Sequence, residues 1–232
     1  MVAQIEKEKE LAARAAIRRV RPGSLLALGT GTTTAYAVRA LAEADGKERG
    51  IVAVASSRAT EELARRLGIT IRPLQEGDQF DLMVDGADEV APDLSLTKGG
   101  GGALLREKLL ARLSRERLIV VDHTKLVNHL GERAPIPVEV VPFARPIVVR
   151  EVERLGFRVS TRKGPDTAES FRTDNGNEIL DLWPSKPIDD PARTETELRS
   201  LTGVVECGIF VGLADRVYVG RPNGKVEELS PP

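Results

Sequence analysis

Short apolar runs alternate with longer amphipathic stretches through the first half of the chain. Residues 25–28 are a run of Leu and Ala closed by Gly29, and residues 33–44 read as a helix. Residues 51–55 repeat the apolar run, and 58–67 repeat the helix, ended by Gly68. Further buried strands are expected at 82–84, just before Asp85, and at 118–121, just before Asp122. An opening helix over 5–20 sets Leu11, Ala12, Ala15 and Ala16 among charges until Pro22-Gly23 stops it. Strands alternating with helices predict an α/β domain, a Rossmann-like, mainly parallel sheet with helices on both faces. Ligands of such sheets collect at the carboxyl ends of the strands. The stretches 30–33, 56–57, 85–88 and 122–125 all follow apolar runs directly.

From about residue 135 the pattern changes. Strands at 138–141, 157–161, 178–182 and 204–210, with helices at 145–155 and 191–201, give a β-α-β-β-α-β order. That order predicts a smaller α+β ferredoxin-like domain. The turn Asp174-Asn175-Gly176-Asn177 precedes its third strand. Residues 216–219 and the Asn223-Gly224 turn read as a hairpin returning to the first domain. The expected division is 1–130 with 207–232 as the α/β catalytic domain and 131–206 as the ferredoxin-like one.

Composition narrows the class. Hydrophobic residues are 41% of 232 and aromatics only 3%, so the core must be built from Leu, Val, Ile and Ala. A net charge of -1 gives no concentrated basic face, and no nucleic-acid partner is expected. Cys207 is the single cysteine, so no intramolecular disulfide can form, and its apolar flanks mark it as a buried filler in a strand. The charged stretch 6–10 lacks the layout of a secretory signal. No apolar run approaches the ~20 residues that span a bilayer, so a cytoplasmic protein with no membrane partner is expected.

The chemistry concentrates in two blocks. Lys98 opens a run of four glycines, Gly99, Gly100, Gly101 and Gly102, that leads into a helix near Ala103 carrying Glu107. Consecutive glycines can turn several N–H groups inward as an anion-binding nest, with Lys98 adding a full positive charge. Glu107 shares its helical face with Ala103, Leu104, Leu110 and Ala111, while Arg106 and Lys108 are expected in solvent. A desolvated carboxylate there suits a general base. Upstream, Asp85-Gly86-Ala87-Asp88 places two acids on a turn past a buried strand.

The second block, Gly29-Thr30-Gly31-Thr32-Thr33, sits at a strand-to-helix junction where an anion is favoured. Thr34 occupies the third glycine position of a dinucleotide fingerprint, and there is no Walker lysine, so phosphate or sugar hydroxyls are the expected ligand. Lys125, in Asp122-His123-Thr124-Lys125, is a further phosphate candidate. His123 and His129 belong to no metal-ligand motif and read as surface or packing residues; no metal or other cofactor is expected.

With these segments placed, the chain resembles ribose-5-phosphate isomerase of the A type. The resemblance rests on residues 29–33, 84–89, 98–101 through 106–108, 121–125, 137–140 and 173–177, in order over nearly the whole chain. It implies interconversion of D-ribose 5-phosphate and D-ribulose 5-phosphate through an ene-diolate, without metal or nucleotide. It implies Glu107 as proton acceptor, and substrate contacts at Thr30, Gly31, Thr32, Thr33, Asp85, Gly86, Ala87, Asp88, Lys98, Gly99, Gly100, Gly101 and Lys125. Lys98 is then the oxyanion partner, while Asp85 and Asp88 handle hydroxyl protons, their division left open. The resemblance also implies a homodimer or higher homo-oligomer, with the smaller domain a candidate for the contacts. Two rivals remain at this point: a sugar-phosphate sensing module without chemistry, and acyl or CoA transfer by a carboxylate nucleophile.

Overall fold

The central strands form because their apolar runs are covered from both sides. In a computed structural model describing residues 2–44, 48–165 and 168–231, β1 (Leu25–Leu28), β2 (Val52–Ala55), β4 (Leu82–Asp85) and β7 (Arg117–Asp122) pair in parallel with β3 (Thr70–Ile71) and β13 (Arg216–Gly220). The antiparallel β14 (Val226–Leu229) closes the hairpin predicted around Asn223-Gly224. The seven strands run in the order β14-β13-β7-β4-β1-β2-β3.

Alternate side chains of β1 enter different layers. Leu26 and Leu28 join Ala12, Ala13 and Ala16 of α1 (Val2–Ile17), Val38 and Leu41 of α2 (Thr32–Glu43) and Ala64 of α3 (Arg58–Arg66). Ala27 faces the other way, with Met83, Leu110 and Ala111, the last two on α4 (Leu104–Arg112). Both leucines are wholly buried, so truncating either to Ala would cost about 2–5 kcal/mol.

The chain divides into two units, the first of Met1–Ala87, Arg106–Lys125 and Gly212–Pro232 and the second of Asp88–Leu105 with Leu126–Val211. The larger sheet of the second unit is antiparallel: β8 (Ile136–Val140), β9 (Phe157–Thr161), β10 (Glu178–Pro184) and β11 (Val204–Cys207), with α5 (Arg145–Arg154) and α6 (Pro191–Ser200). The order β11-β8-β10-β9 realises the β-α-β-β-α-β pattern read from the sequence. Val138, Val148, Leu180, Leu198 and Cys207 share its core.

The single strand expected over 204–210 is two. Gly208 breaks it, its N–H bonding Pro137 O at 2.7 Å and its carbonyl accepting from Lys98 N at 2.8 Å. Beyond it, β12 (Ile209–Phe210) joins β6 (Leu96–Thr97) and β5 (Glu89–Val90) in a three-stranded sheet. No described helix is long and apolar enough to cross a membrane.

Candidate active site

The parallel sheet reverses its direction of growth between β1 and β4. From β1 the chain adds β2 and β3 on one side, then returns to lay β4 on the other. At such a switch point the loops leaving two neighbouring strands diverge and open a crevice for ligand. The loop after β1 is the threonine loop, and β4 ends at Asp85.

The two are tied together. Asp85 is fully buried, and its Oδ1 accepts from Thr30 N at 3.1 Å, Gly86 N at 2.7 Å and Thr34 Oγ1 at 3.3 Å. A Cβ on Gly29 would lie 1.8 Å from that same oxygen, so the approach of strand to carboxylate requires glycine. Thr60 Oγ1 donates to Gly29 O at 2.8 Å, and the Thr30 and Ser56 hydroxyls meet at 2.7 Å. Thr34, which in sequence only spoiled a dinucleotide fingerprint, is part of the Asp85 clasp.

Gly31, at φ 117°, is the N-cap residue of α2, and no side chain caps that end. The first turn also lacks an acid, so its N–H groups and the positive end of the dipole remain available to an anion. Lys9, on α1, sets its Nζ 3.2 Å from Thr32 Oγ1 and 2.8 Å from Glu6 Oε1. Lys9 was missed by sequence reasoning because it lies in an ordinary run of alternating charge; only tertiary packing brings it to the loop.

Past β7, Asp122 is buried and its Oδ1 accepts from Thr124 N at 3.0 Å and from the Thr124 hydroxyl. Lys125 follows, partly exposed. His123 does more than pack: its Nδ1 lies 2.5 Å from Oε2 of the fully buried Glu8. Burial pushes the Glu8 carboxyl up, but hydrogen bonds from His123 and Gln4 outweigh it and hold it below the usual carboxylate range. Single ligand atoms of Glu8, Asp122 and His123 lie within 4.8 Å of one another, yet the His123 nitrogen is already engaged by Glu8. That is the geometry of a hydrogen-bonded carboxylate–imidazole pair.

Glu107 is only 2% exposed, as its apolar neighbours imply. Lys108 corrects the sequence reading, which set it in solvent: it is 1% exposed, whereas Leu109 and Leu113 stand substantially bare. A wheel drawn on polarity assigns charges outward; here the consecutive Glu107 and Lys108 turn inward along with Leu104 and Leu110, while Leu109 and Leu113 face out. The inversion costs desolvation and marks the face where charge is wanted.

In the second unit, Lys98 is 3% exposed, its Nζ 5.5 Å from the centre of the Phe210 ring. Asp88, partly exposed, bonds through its N–H to Thr97 O at 2.8 Å and accepts Gly100 N on Oδ2 at 2.8 Å. Glu89 beside it is buried and accepts from Thr97 Oγ1 and from the N–H groups of Gly131, Arg133 and Ala134 at 2.6–2.9 Å. Its lone pairs serve the backbone, which separates it from the chemistry.

Known proteins share this architecture and these motifs. The family model for Ribose 5-phosphate isomerase A (phosphoriboisomerase A) matches residues 52–224. A ribose-5-phosphate isomerase A of Chloroflexus aurantiacus is 47% identical over 221 residues, covering 94% of this chain and 92% of that one. One from Deinococcus radiodurans is 42% identical over 230 residues, covering 97% and 99%. Among solved structures, a D-ribose-5-phosphate isomerase in complex with phospho-erythronic acid superposes with a TM-score of 0.93 at 38% identity, covering 97% of this chain and 99% of that chain. The ribose 5-phosphate isomerase A of Methanocaldococcus jannaschii gives 0.91 at 38% identity, with the same coverage. A match of this extent in sequence and in fold settles membership: the chain belongs to the ribose-5-phosphate isomerase A family, enzymes of the pentose phosphate pathway.

Proposed function

We propose that Glu107 is the general base that moves a proton between C2 and C1 of an open-chain pentose 5-phosphate through an ene-diolate. The observation that carries this reading is a carboxylate 2% exposed, on a helix entered directly from the Lys98 glycine loop. Water is excluded from such a group, so it can take a carbon-bound proton and return it to the neighbouring carbon before exchange with solvent is complete.

Each other group then has a task on the same substrate. The ammonium of Lys98 and the Gly101 N–H oppose the charge that develops on O1 and O2, worth a few kcal/mol per donor, while Gly99 and Gly100 shape the loop and the Gly100 N–H holds Asp88 against it. Asp88, partly exposed and accepting the Gly100 N–H on one carboxylate oxygen, moves the hydroxyl proton between those oxygens. Asp85, buried and already accepting three donors, holds Thr30 and Gly86 in place for the sugar, with Ala87 beside them. The open α2 terminus, with Thr30, Gly31, Thr32 and Thr33, takes the phosphate together with Lys9 and Lys125. Phospho-erythronic acid, the ligand of the related structure, supports this assignment chemically: it pairs a phosphate with a carboxylate whose two oxygens resemble the ene-diolate pair.

Self-association into a homodimer or larger homo-oligomer belongs to the same proposal. Phe143, 95% exposed, with Val141 and Ile147 also bare, supports a contact on the second unit.

The test is Glu107→Gln, which keeps shape and removes the base. Its kcat should fall about 100- to 10,000-fold. Ribose 5-phosphate deuterated at C2 should give, with the unaltered enzyme, a primary isotope effect and partial loss of label to water. Turnover by the variant close to the parent's would remove Glu107 from the mechanism.

A further inference from the structure

The glycine loop is bent by its own backbone and gripped from behind by one arginine. Gly99 and Gly102 take φ values of 105° and 76°, and Gly102 N closes the turn on Gly99 O at 2.9 Å. Arg162, the residue after β9, donates through Nη1 to Gly99 O at 2.8 Å and to Gly100 O at 2.9 Å. The other edge of its guanidinium meets Asp181 of β10, with Nε 2.9 Å from Oδ2 and Nη2 bonded to Oδ1. Both side chains are largely buried, and Arg162 Cζ lies 6.0 Å from the centre of the Phe171 ring. The Phe171 N–H bonds Arg162 O at 2.9 Å, so the brace is itself tied down.

The consequence follows from peptide geometry. Every described peptide bond is trans, so the carbonyl of one residue and the N–H of the next point in opposite directions. Drawing the carbonyls of Gly99 and Gly100 onto Arg162 therefore commits the N–H groups of Gly100 and Gly101 to the opposite face. Gly100 N–H meets Asp88 Oδ2 there, and Gly101 N–H has no protein acceptor among the described residues. A positive charge behind two carbonyls also polarises both amides, making their N–H groups stronger donors.

We propose that Arg162, locked by Asp181, is a positioning residue that presets the glycine loop as an oxyanion-binding nest. The inference rests on the reading of that loop as the oxyanion partner. Preorganisation acts on the transition state, so its loss should appear in kcat and spare KM.

The experiment measures kcat, KM and melting temperature for Arg162→Ala, Arg162→Lys and Asp181→Asn, with and without millimolar guanidinium. Arg162→Ala should lose about 10- to 100-fold in kcat, below the full cost of an oxyanion donor, with KM within about threefold. Arg162→Lys should recover little, because an ammonium cannot hold the carboxylate and both carbonyls at once. Added guanidinium should restore part of the Arg162→Ala kcat and leave the parent unchanged, a response that a purely structural contact would not give. A folded Arg162→Ala with kcat within about twofold of the parent, a loss confined to KM, or no response to guanidinium overturns the proposal. Should Arg162→Ala fail to fold, Asp181→Asn, which keeps the arginine and frees its fork, decides by the same kcat criterion. Glu107→Gln in parallel separates the two readings: if it is inactive while Arg162→Ala is fully active, only the positioning role falls.

Discussion

The two loops proposed to bind the substrate's anionic groups are built on opposite plans. The threonine loop of the first unit inherits its donors from a regular element: a strand ends, a helix begins, and the uncapped α2 terminus points its N–H groups outward. The glycine loop of the second unit belongs to no element. Its peptides are turned by positive φ angles and by a side chain some sixty residues away in sequence. A loop borne by an element is as rigid as the sheet beneath it, whereas a braced loop is as rigid as its brace. Damage to the first should therefore spread into stability, and damage to the second should stay in the chemistry.

Gly29→Ala presses that contrast hardest. Its Cβ would fall 1.8 Å from Asp85 Oδ1, so strand β1, the Asp85 clasp and the threonine loop must all move. Thermal or denaturant unfolding should show about 1–3 kcal/mol lost, as for overpacking a tight site, and kcat/KM should fall about 100-fold or more. A variant as stable as the parent would mean that the loop is not continuous with the sheet.

Gly100→Ala is the matching change in the other unit. The added methyl meets Asp88 Oδ1 at 2.6 Å, the end of a side chain that can swing away. Stability should move by less than about 1 kcal/mol, while kcat falls about tenfold, the equivalent of one hydrogen bond. An equal loss of stability in both glycine variants would erase the distinction.

Lys9→Met probes the cation that packing adds to the threonine loop. It should raise KM for ribose 5-phosphate about three- to tenfold and leave kcat within about twofold, because phosphate is held alike in ground and transition states. A smaller effect is expected away from both loops. Asp78 accepts Arg72 on both carboxylate oxygens, and Arg72 with the Gln75 N–H holds its pKa down to about 2. A carboxyl depressed in the folded state stabilises above its unfolded pKa of about 4 and loses that contribution as pH falls through the folded value. The stability gap between the parent and Asp78→Asn should be full near neutrality and close as the pH drops from about 4 towards 2.

What could be read in advance follows local physics. The apolar runs specified β1, β2, β4 and β7, because a run of Leu, Val and Ala bounded by Gly or Asp has few other uses in a soluble chain. Strand-end placement then marked the threonine loop and Asp85, and the glycine run marked itself. Lys108 went astray because helical periodicity says which residues share a face but not which face is buried, and α4 hides Glu107 and Lys108 and shows Leu109. The expected strand over 204–210 failed at Gly208, whose backbone is claimed by Pro137 and Lys98 at once.

The order of residues alone thus determined the α/β class and the β-α-β-β-α-β second unit, and it singled out the strand-end threonine loop and the acids and lysine that the proposed chemistry uses. These are set by spacing along one segment, and spacing is local. Tertiary structure alone decided that Asp85 clasps Thr30 and Thr34, that Lys9 reaches Thr32, that Glu8 and His123 pair, and that Arg162 grips the glycine carbonyls. Each of those contacts joins groups tens of residues apart, and such pairs form only when the free energy of burying two cores offsets the entropy of closing the chain between them.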